Sequence, residues 1–252
     1  MRCTAERIQI GVMECWSDGG LEFLTQYSRT SILLHSILET GGPMKRSTDR
    51  ILVTHAGSLA RPKDLLEMMD AKLSGRSYDQ AAYGKRIRNA VADMVRNQVQ
   101  CGIDIVTDGE QSKPSFNAYL IERLTGFEAV ASSAERIAAR MKTDEARAFP
   151  EYYEKYFAEH MCSVGLNLPV ACTGPITYKG QEAVRTDIEN LKAALNGLAP
   201  EAVFMPAIAP GFFSNQYYPT DKEFLYALAE ALRVEYQAII DAGFLLQIDD
   251  PS

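Results

Sequence analysis

From Ile51 onward, short β-branched apolar runs alternate with longer stretches in which apolar residues recur every three or four positions. Residues 51–54 (ILVT) read as a strand. Pro62 opens a helix that continues through Leu73, since proline's missing N–H costs nothing in a first helical turn. A second helix, about 78–100, carries Ile87, Val91, Val95 and Val99 four apart, which places them on one face for burial. Gly102 suits its C-terminal cap, and residues 103–106 form the next strand. The run 168–172 (LPVAC) reads as a third strand, followed by a helix over about 180–195. Residues 202–206 give a fourth strand, 221–241 a long amphipathic helix and 244–248 a fifth strand after Gly243.

Two stretches echo each other: VQCGIDIVTDGE (99–110) and IDAGFLLQIDDP (240–251). Each runs from a helix end through a glycine and an apolar strand to acidic residues at the strand's C-terminal end. Alternation of this kind predicts a parallel sheet covered by helices. A doubly wound sheet would show the same alternation, but neither G-x-G-x-x-G after the first strand nor G-x-x-x-x-G-K-[ST] occurs. The expected fold is therefore α/β, a partial (β/α)₈ TIM-type barrel with about five of its eight β/α units. A helical insertion is expected between strands two and three, over about 129–166. Its segment 132–142 is alanine-rich, and 150–160 carries Tyr152, Tyr153, Tyr156 and Phe157. That insertion fits a lid over the barrel mouth and a helical pair on the barrel side equally well.

The chain has 252 residues and a formal charge of −7, a balance that excludes a general nucleic-acid surface. Its cysteines (Cys3, Cys15, Cys101, Cys162 and Cys172) are odd in number and scattered, which suits a reducing cytoplasm. They and His35, His55 and His160 show no structural metal-site spacing, so no metal ligand set is expected in this chain. No apolar run approaches the ~18 residues of a membrane span. The run 31–38 contains His35 and lacks a basic cluster before it, unlike a signal peptide.

Polar residues collect after the expected strands: Thr54, His55, Gly57 and Ser58; Asp108, Gly109, Glu110 and Ser112; Thr173 and Gly174; Asp249 and Asp250. In a barrel these C-terminal strand ends form the catalytic face. His55 reads either as a turn cap or as a ligand. Gly57 and Ser58 read as a tight turn or as amides holding an anion. Glu110 is a loop charge or a site residue, and Asp249 follows so apolar a strand that its carboxylate is expected to face inward and to need a cationic partner. Cys172 reads as a small core residue rather than a nucleophile.

Taken together, RILVTHAGSLARP (50–62), GIDIVTDGEQSKPSF (102–116), ACTGPIT (171–177) and FLLQIDDPS (244–252) resemble the cobalamin-independent methionine synthase family. The likeness is narrower to its short single-barrel members, kin of the C-terminal catalytic domain, and runs from about Met44 to Ser252. It implies a zinc-dependent methyltransferase that moves a methyl group from a methyltetrahydrofolate-type donor to a small-molecule thiol such as homocysteine. By the resemblance, Ala56, Gly57 and Ser58 match the loop holding the homocysteine carboxylate, and Glu110 and Asp249 match acids holding its amino group. His55, Asp108 and Thr173 are further candidates.

The chain departs from the family in three places. The family's zinc ligands lie beyond the fifth strand, so this chain is expected to carry none of them, nor a catalytic residue of its own. Tyr178, Lys179 and Gly180 stand where methionine synthases have a folate-contacting tryptophan, which leaves the methyl donor open. The acidic pair is Asp249–Asp250. Residues 1–43 match nothing in the family and are expected to be an extension, disordered or misread from upstream; 44–252 form the barrel part. The alternatives to a methyltransferase are a non-catalytic gene fragment, or a related barrel acting on another thiol such as coenzyme M.

Overall fold

The computed structural model describes residues 47–129, 141–160, 170–211 and 213–250. In chain order these contain α1 (Lys63–Leu73), α2 (Gln80–Gln100), β1 (Ile105–Val106), α3 (Phe116–Arg123) and β2 (Phe127–Ala129). There follow α4 (Asp144–Ala148), α5 (Pro150–His160), β3 (Val170–Cys172), α6 (Gln181–Ala194), β4 (Ala202–Ile208), β5 (Ser214–Asn215), α7 (Asp221–Asp241) and β6 (Leu245–Asp249). The expected extension 1–43 and most of the alanine-rich segment 132–142 lie outside the described residues.

The expected helices α1, α2, α6 and α7 form where the pattern placed them, and side chains cap α2 and α7. Asp79 accepts from the backbone N–H groups of Ala81 and Ala82 at the start of α2. Thr220 accepts from Glu223 N–H at the start of α7. One face of α2 buries Tyr83, Ile87, Ala90, Val91 and Val95; α7 buries Phe224, Leu228, Leu232, Tyr236 and Ile239. Helix α6 packs between α2 and α7, and α7 also covers β4 and β6. No described helix is long and apolar enough to cross a membrane.

The central sheet is parallel, in the order β1–β4–β6. Thr54 adds a parallel bridge to Ile105 on the outer side of β1. The segment 51–54 thus takes its expected place, although only Thr54 enters the ladder. Ile51 and Val53 on that side, and Ile248 on β6 at the other, are exposed, as outer strands of an unclosed sheet must be. Pro206 is tolerated within β4 because β1 pairs only with Ala202 and Val203, so the proline lies beyond the last β1 partner.

The third expected strand does not join this sheet. β1 pairs directly with β4, Ile105 opposite Ala202, which leaves no place between them. β3 instead pairs antiparallel with β2 and parallel with β5, in a separate small sheet. Of the five expected strands, four therefore share the parallel sheet. Gly126, just before β2, lies against the chain that leaves β3, and its φ of +79° and neighbours forbid a side chain: a Cβ there would lie 2.5 Å from the Gly174 carbonyl oxygen. Thr173 N–H donates to the Gly126 carbonyl across this approach. Val170, Ala171 and Cys172 are buried as the apolar run demanded, but in the small sheet, where the Phe127 ring packs with those of Phe213 and Phe224. Within the expected insertion, α4 and α5 pack on each other.

At the opposite end of the sheet, Arg50 and Asp104 tie the first segment to β1. Arg50 donates to both Asp104 oxygens (2.5 and 2.7 Å), and Asp104 also accepts from Val53 N–H at 2.8 Å. The Arg50 hydrogen bond, then the Val53 N–H, hold the Asp104 carboxyl down to about 2. A depressed carboxyl contributes stability that is present above its unfolded value of about 3.9 and is lost as pH falls through the folded value. Urea unfolding followed from pH 7 to pH 2 should therefore show the native chain losing stability between about pH 4 and pH 2. Asp104→Asn should start less stable at neutral pH and show a shallower acid decline; an unchanged decline would mean that the pair does not anchor this segment.

Candidate functional site

Loop one (55–62) follows the first segment and loop two (107–113) follows β1, and the two close on each other at the C-terminal end of the sheet. Loop two turns through two successive left-handed residues, Gly109 at φ +64° and Glu110 at φ +56°. Gly109 cannot be replaced cheaply, because a Cβ would sit 3.1 Å from the Leu59 side chain. Glu110 is the one non-glycine residue with positive φ among the described residues. Such a conformation costs on the order of 1–3 kcal/mol and persists only where surroundings impose it.

The surroundings do impose it. The Asp108 carboxylate accepts Glu110 N–H at 2.9 Å, and the Ser58 hydroxyl donates to Glu110 Oε2 at 2.5 Å. Arg61 donates to the Glu110 carbonyl at 2.8 Å, to Ser58 Oγ at 3.2 Å and to the Lys113 carbonyl. Leu59 N–H reaches the Gly109 carbonyl at 3.1 Å, and Lys113 N–H the Glu110 carbonyl at 3.0 Å. Asp108 is fully enclosed. Burial pushes its carboxyl up, against the opposing pull of Lys113. Burial likewise lowers the Arg61 guanidinium, while Glu110 and Asp108 pull it back up.

Glu110 then lines a small pocket with Lys113, Ser115, Tyr119, the Pro206–Ala207–Ile208 stretch of β4 and Asp249 of β6. Glu110 Oε2 is occupied by Ser58, whereas Oε1 is buried with no hydrogen-bond partner. Asp249 accepts from the Gln247 amide at 2.6 Å. Its donor is thus a neutral amide rather than the expected cation. His55 Nε2, Gln111 Oε1 and Ser112 Oγ, all on the same two loops, are also buried without partners. Orphaned polar atoms cost about 1–3 kcal/mol each and mark a place where something polar is missing.

Behind the pocket stands a buried charge cluster. Arg123 of α3 pairs with Asp187 of α6 at 2.5 Å and with Glu235 of α7 at 3.4 Å. Tyr119 and Tyr178 both donate to Glu235, the latter at 2.5 Å. The Arg123 guanidinium also lies 5.0 Å over the Tyr119 ring. Burial alone would lower the Arg123 guanidinium, but Asp187 and then Glu235 outweigh it and hold it well above its usual value. Burial and the Glu235 charge raise both phenols, which remain donors. This cluster fixes Tyr119, the pocket's aromatic wall, to three helices. It also engages Tyr178, which donates to Glu235.

Of the residues expected from sequence, the structure brings Glu110 and Asp249 to one pocket and joins Ser58 to Glu110. Ala56 and Gly57 lie exposed on loop one, outside the pocket lining. His55 is half-buried on loop one, and Asp108 acts as a brace beneath Glu110 rather than as a pocket wall. Thr173 follows β3 in the separate sheet and does not line the pocket. Sequence reasoning missed Lys113, Ser115, Tyr119 and the β4 stretch. The Lys-Pro-Ser following Glu110 was the available signal, since Ser115 caps the helix that presents Tyr119.

Among the described residues, no three His, Cys, Asp or Glu side chains gather in a group that could hold a metal ion. A zinc ion therefore finds no matching ligand set in these residues.

The model of the cobalamin-independent synthase catalytic domain matches residues 53–199, more than half of the chain. The chain belongs to that family. Methionine synthase of Sulfolobus acidocaldarius is 25% identical over 208 residues, covering 79% of this chain and 51% of the relative. The methionine synthase of Saccharolobus solfataricus is 22% identical over 200 residues, covering 52% of its own length. The chain thus spans about half the length of the curated relatives it matches. Among solved structures, the B12-independent methionine synthase of Shewanella sp. W3-18-1, in complex with selenomethionine, aligns with a TM-score of 0.54 at 20% identity over 79% of this chain and 51% of that one. A putative B12-independent methionine synthase from Listeria monocytogenes gives 0.52 at 20% identity, over 80% and 53%. These likenesses show a shared α/β fold.

The cluster behind the pocket makes a sharp stability prediction. Glu235→Ala leaves Arg123 with one carboxylate, and the buried Tyr119 and half-buried Tyr178 phenols without an acceptor, a loss of about 3–5 kcal/mol. Urea unfolding by circular dichroism should show it; a loss under about 1 kcal/mol would mean that the cluster is not closed as described.

Proposed function

We propose that the chain forms the acceptor-binding part of a thiol methyltransferase site, in which Glu110 and Asp249 clamp the ammonium of an amino-acid thiol of the homocysteine type. The observation carrying this reading is the buried, partnerless Oε1 of Glu110 in the same pocket as Asp249. An ammonium entering that pocket loses water, and charge-assisted hydrogen bonds to two carboxylates offset the loss. Glu110 is held ready by its backbone and by Ser58, so little side-chain entropy is lost on binding. The reaction for the complete enzyme is transfer of a methyl group, from a methyltetrahydrofolate-type donor, to the acceptor's sulfur. Activation of that sulfur by zinc, which the family resemblance implies, needs ligands other than the described residues supply. This chain's own share is to bind and orient the acceptor. The free thiols Cys101 and Cys172 accord with a cytoplasmic setting.

The ammonium clamp also separates this reading from a related barrel acting on an amine-free thiol such as coenzyme M. Calorimetric binding of homocysteine should weaken by about 2–5 kcal/mol in Glu110→Gln and in Asp249→Asn, with coenzyme M affected far less by either change. Equal losses for both thiols, or none for either, would remove the clamp and leave these acids as loop structure.

A further inference from the structure

An amide stands on the apolar face of α2. Ile87, Val91 and Val95 run down the buried side of that helix, and the next place on it holds Gln98, buried like them. A buried amide is costly unless its donors and its acceptor are met. Gln98 meets them largely on loop two. Its Nε2 donates to the Thr107 carbonyl at 2.7 Å and to the Met94 carbonyl of its own helix at 3.1 Å, and its Oε1 accepts Thr107 N–H at 3.1 Å. Such a two-bond exchange with one residue is what a hydrogen-bonded partner on an antiparallel strand would supply. The register of β1 with β4 ends at Val106, so Gln98 takes hold of the chain at the first residue past that pairing.

From Thr107 the contact passes on to the pocket. The Thr107 hydroxyl donates to Asp108 Oδ1 at 3.2 Å, and the same oxygen accepts Glu110 N–H at 2.9 Å, the bond that braces the left-handed turn. Thr107, Asp108 and Glu110 are all buried, so water offers their backbone groups no ready substitute. Ser58 and Arg61 reach Glu110 from loop one; Gln98 is the contact from α2. Gln98 itself is not among the pocket's lining residues. We propose that Gln98 is a positioning residue of the pocket: its amide fixes the backbone where loop two leaves the sheet, and through Thr107 and Asp108 it holds the Glu110 turn. A methionine in its place would fill similar space on α2 and leave both Thr107 backbone groups without that partner. The consequence for binding rests on the acceptor reading above, while the hold on Glu110 rests on the hydrogen bonds alone.

Residue-resolved amide hydrogen exchange on the full chain tests the hold. In Gln98→Met, exchange at Thr107 and Glu110 should quicken by about 10- to 100-fold beyond any change at Leu228 and Leu232, which are fully buried on α7. Calorimetry should then show homocysteine bound about ten-fold more weakly, because a loosened Glu110 must be ordered on binding. A change in exchange that is equal at all four amides, or no change, would overturn the role and leave Gln98 as a packing residue. Selective exchange with an unchanged homocysteine affinity would overturn it as well. If the native chain binds no homocysteine, the acceptor reading fails and exchange alone decides Gln98: selective loss of protection at Thr107 and Glu110 supports the hold, and uniform loss or none overturns it. Should Gln98→Met not fold, native-state exchange in low urea takes its place. The Gln98 side-chain amide and the Thr107 and Glu110 backbone amides should then open together, with one free energy of opening; openings that differ between Gln98 and the two backbone amides would overturn the role.

Discussion

The site depends on a backbone that has been forced into an unfavourable turn. Glu110 adopts a left-handed conformation that its side chain resists, and Asp108, Ser58 and Arg61 hold it there from three directions. Arg61 contributes most broadly, since one guanidinium ties loop one to two carbonyls of loop two. The result is a carboxylate with one oxygen satisfied and the other buried without a partner, on a residue that lines the pocket. Strain and an orphaned acceptor at the same residue are what a binding site looks like before its ligand arrives.

The remaining architecture brings a second carboxylate to that place. Parallel pairing of β4 with β6 puts Asp249 opposite Ile208, at the same end of the sheet as the loop after β1. The helices behind are locked by buried charges rather than by apolar packing alone, and Tyr119 passes that rigidity to the pocket wall. A cluster of this kind adds little net stability over an apolar core but is costly to break, so it specifies one arrangement. Its location beneath the pocket ties the helical layer to the position of a site residue.

Much of this was legible in the chain. Helical periodicity gave α2, α6 and α7 because Ile87, Val91 and Val95, or Phe224, Leu228 and Leu232, recur on one buried face. The echo between the segments ending in Glu110 and in Asp249 correctly signalled two strands of one parallel sheet. The placement of β3 was not legible. LPVAC is apolar throughout, and such a run records burial without saying which sheet buries it. The decisive constraint was the approach of Gly126 to Gly174, a contact between residues far apart in sequence. Lys113 escaped notice for a similar reason. A lysine after a loop reads as a solvated charge until the fold closes Tyr119 and Pro206 around it.

The central claim is geometric: Glu110 and Asp249 act as a pair on one cationic group. A crystal structure of the chain with homocysteine bound tests it most directly. The account predicts the amino nitrogen within hydrogen-bonding distance of both Glu110 Oε1 and the Asp249 carboxylate, with the Glu110 backbone unchanged in its left-handed turn. A bound homocysteine whose amino group faces solvent, or contacts neither acid, would contradict it.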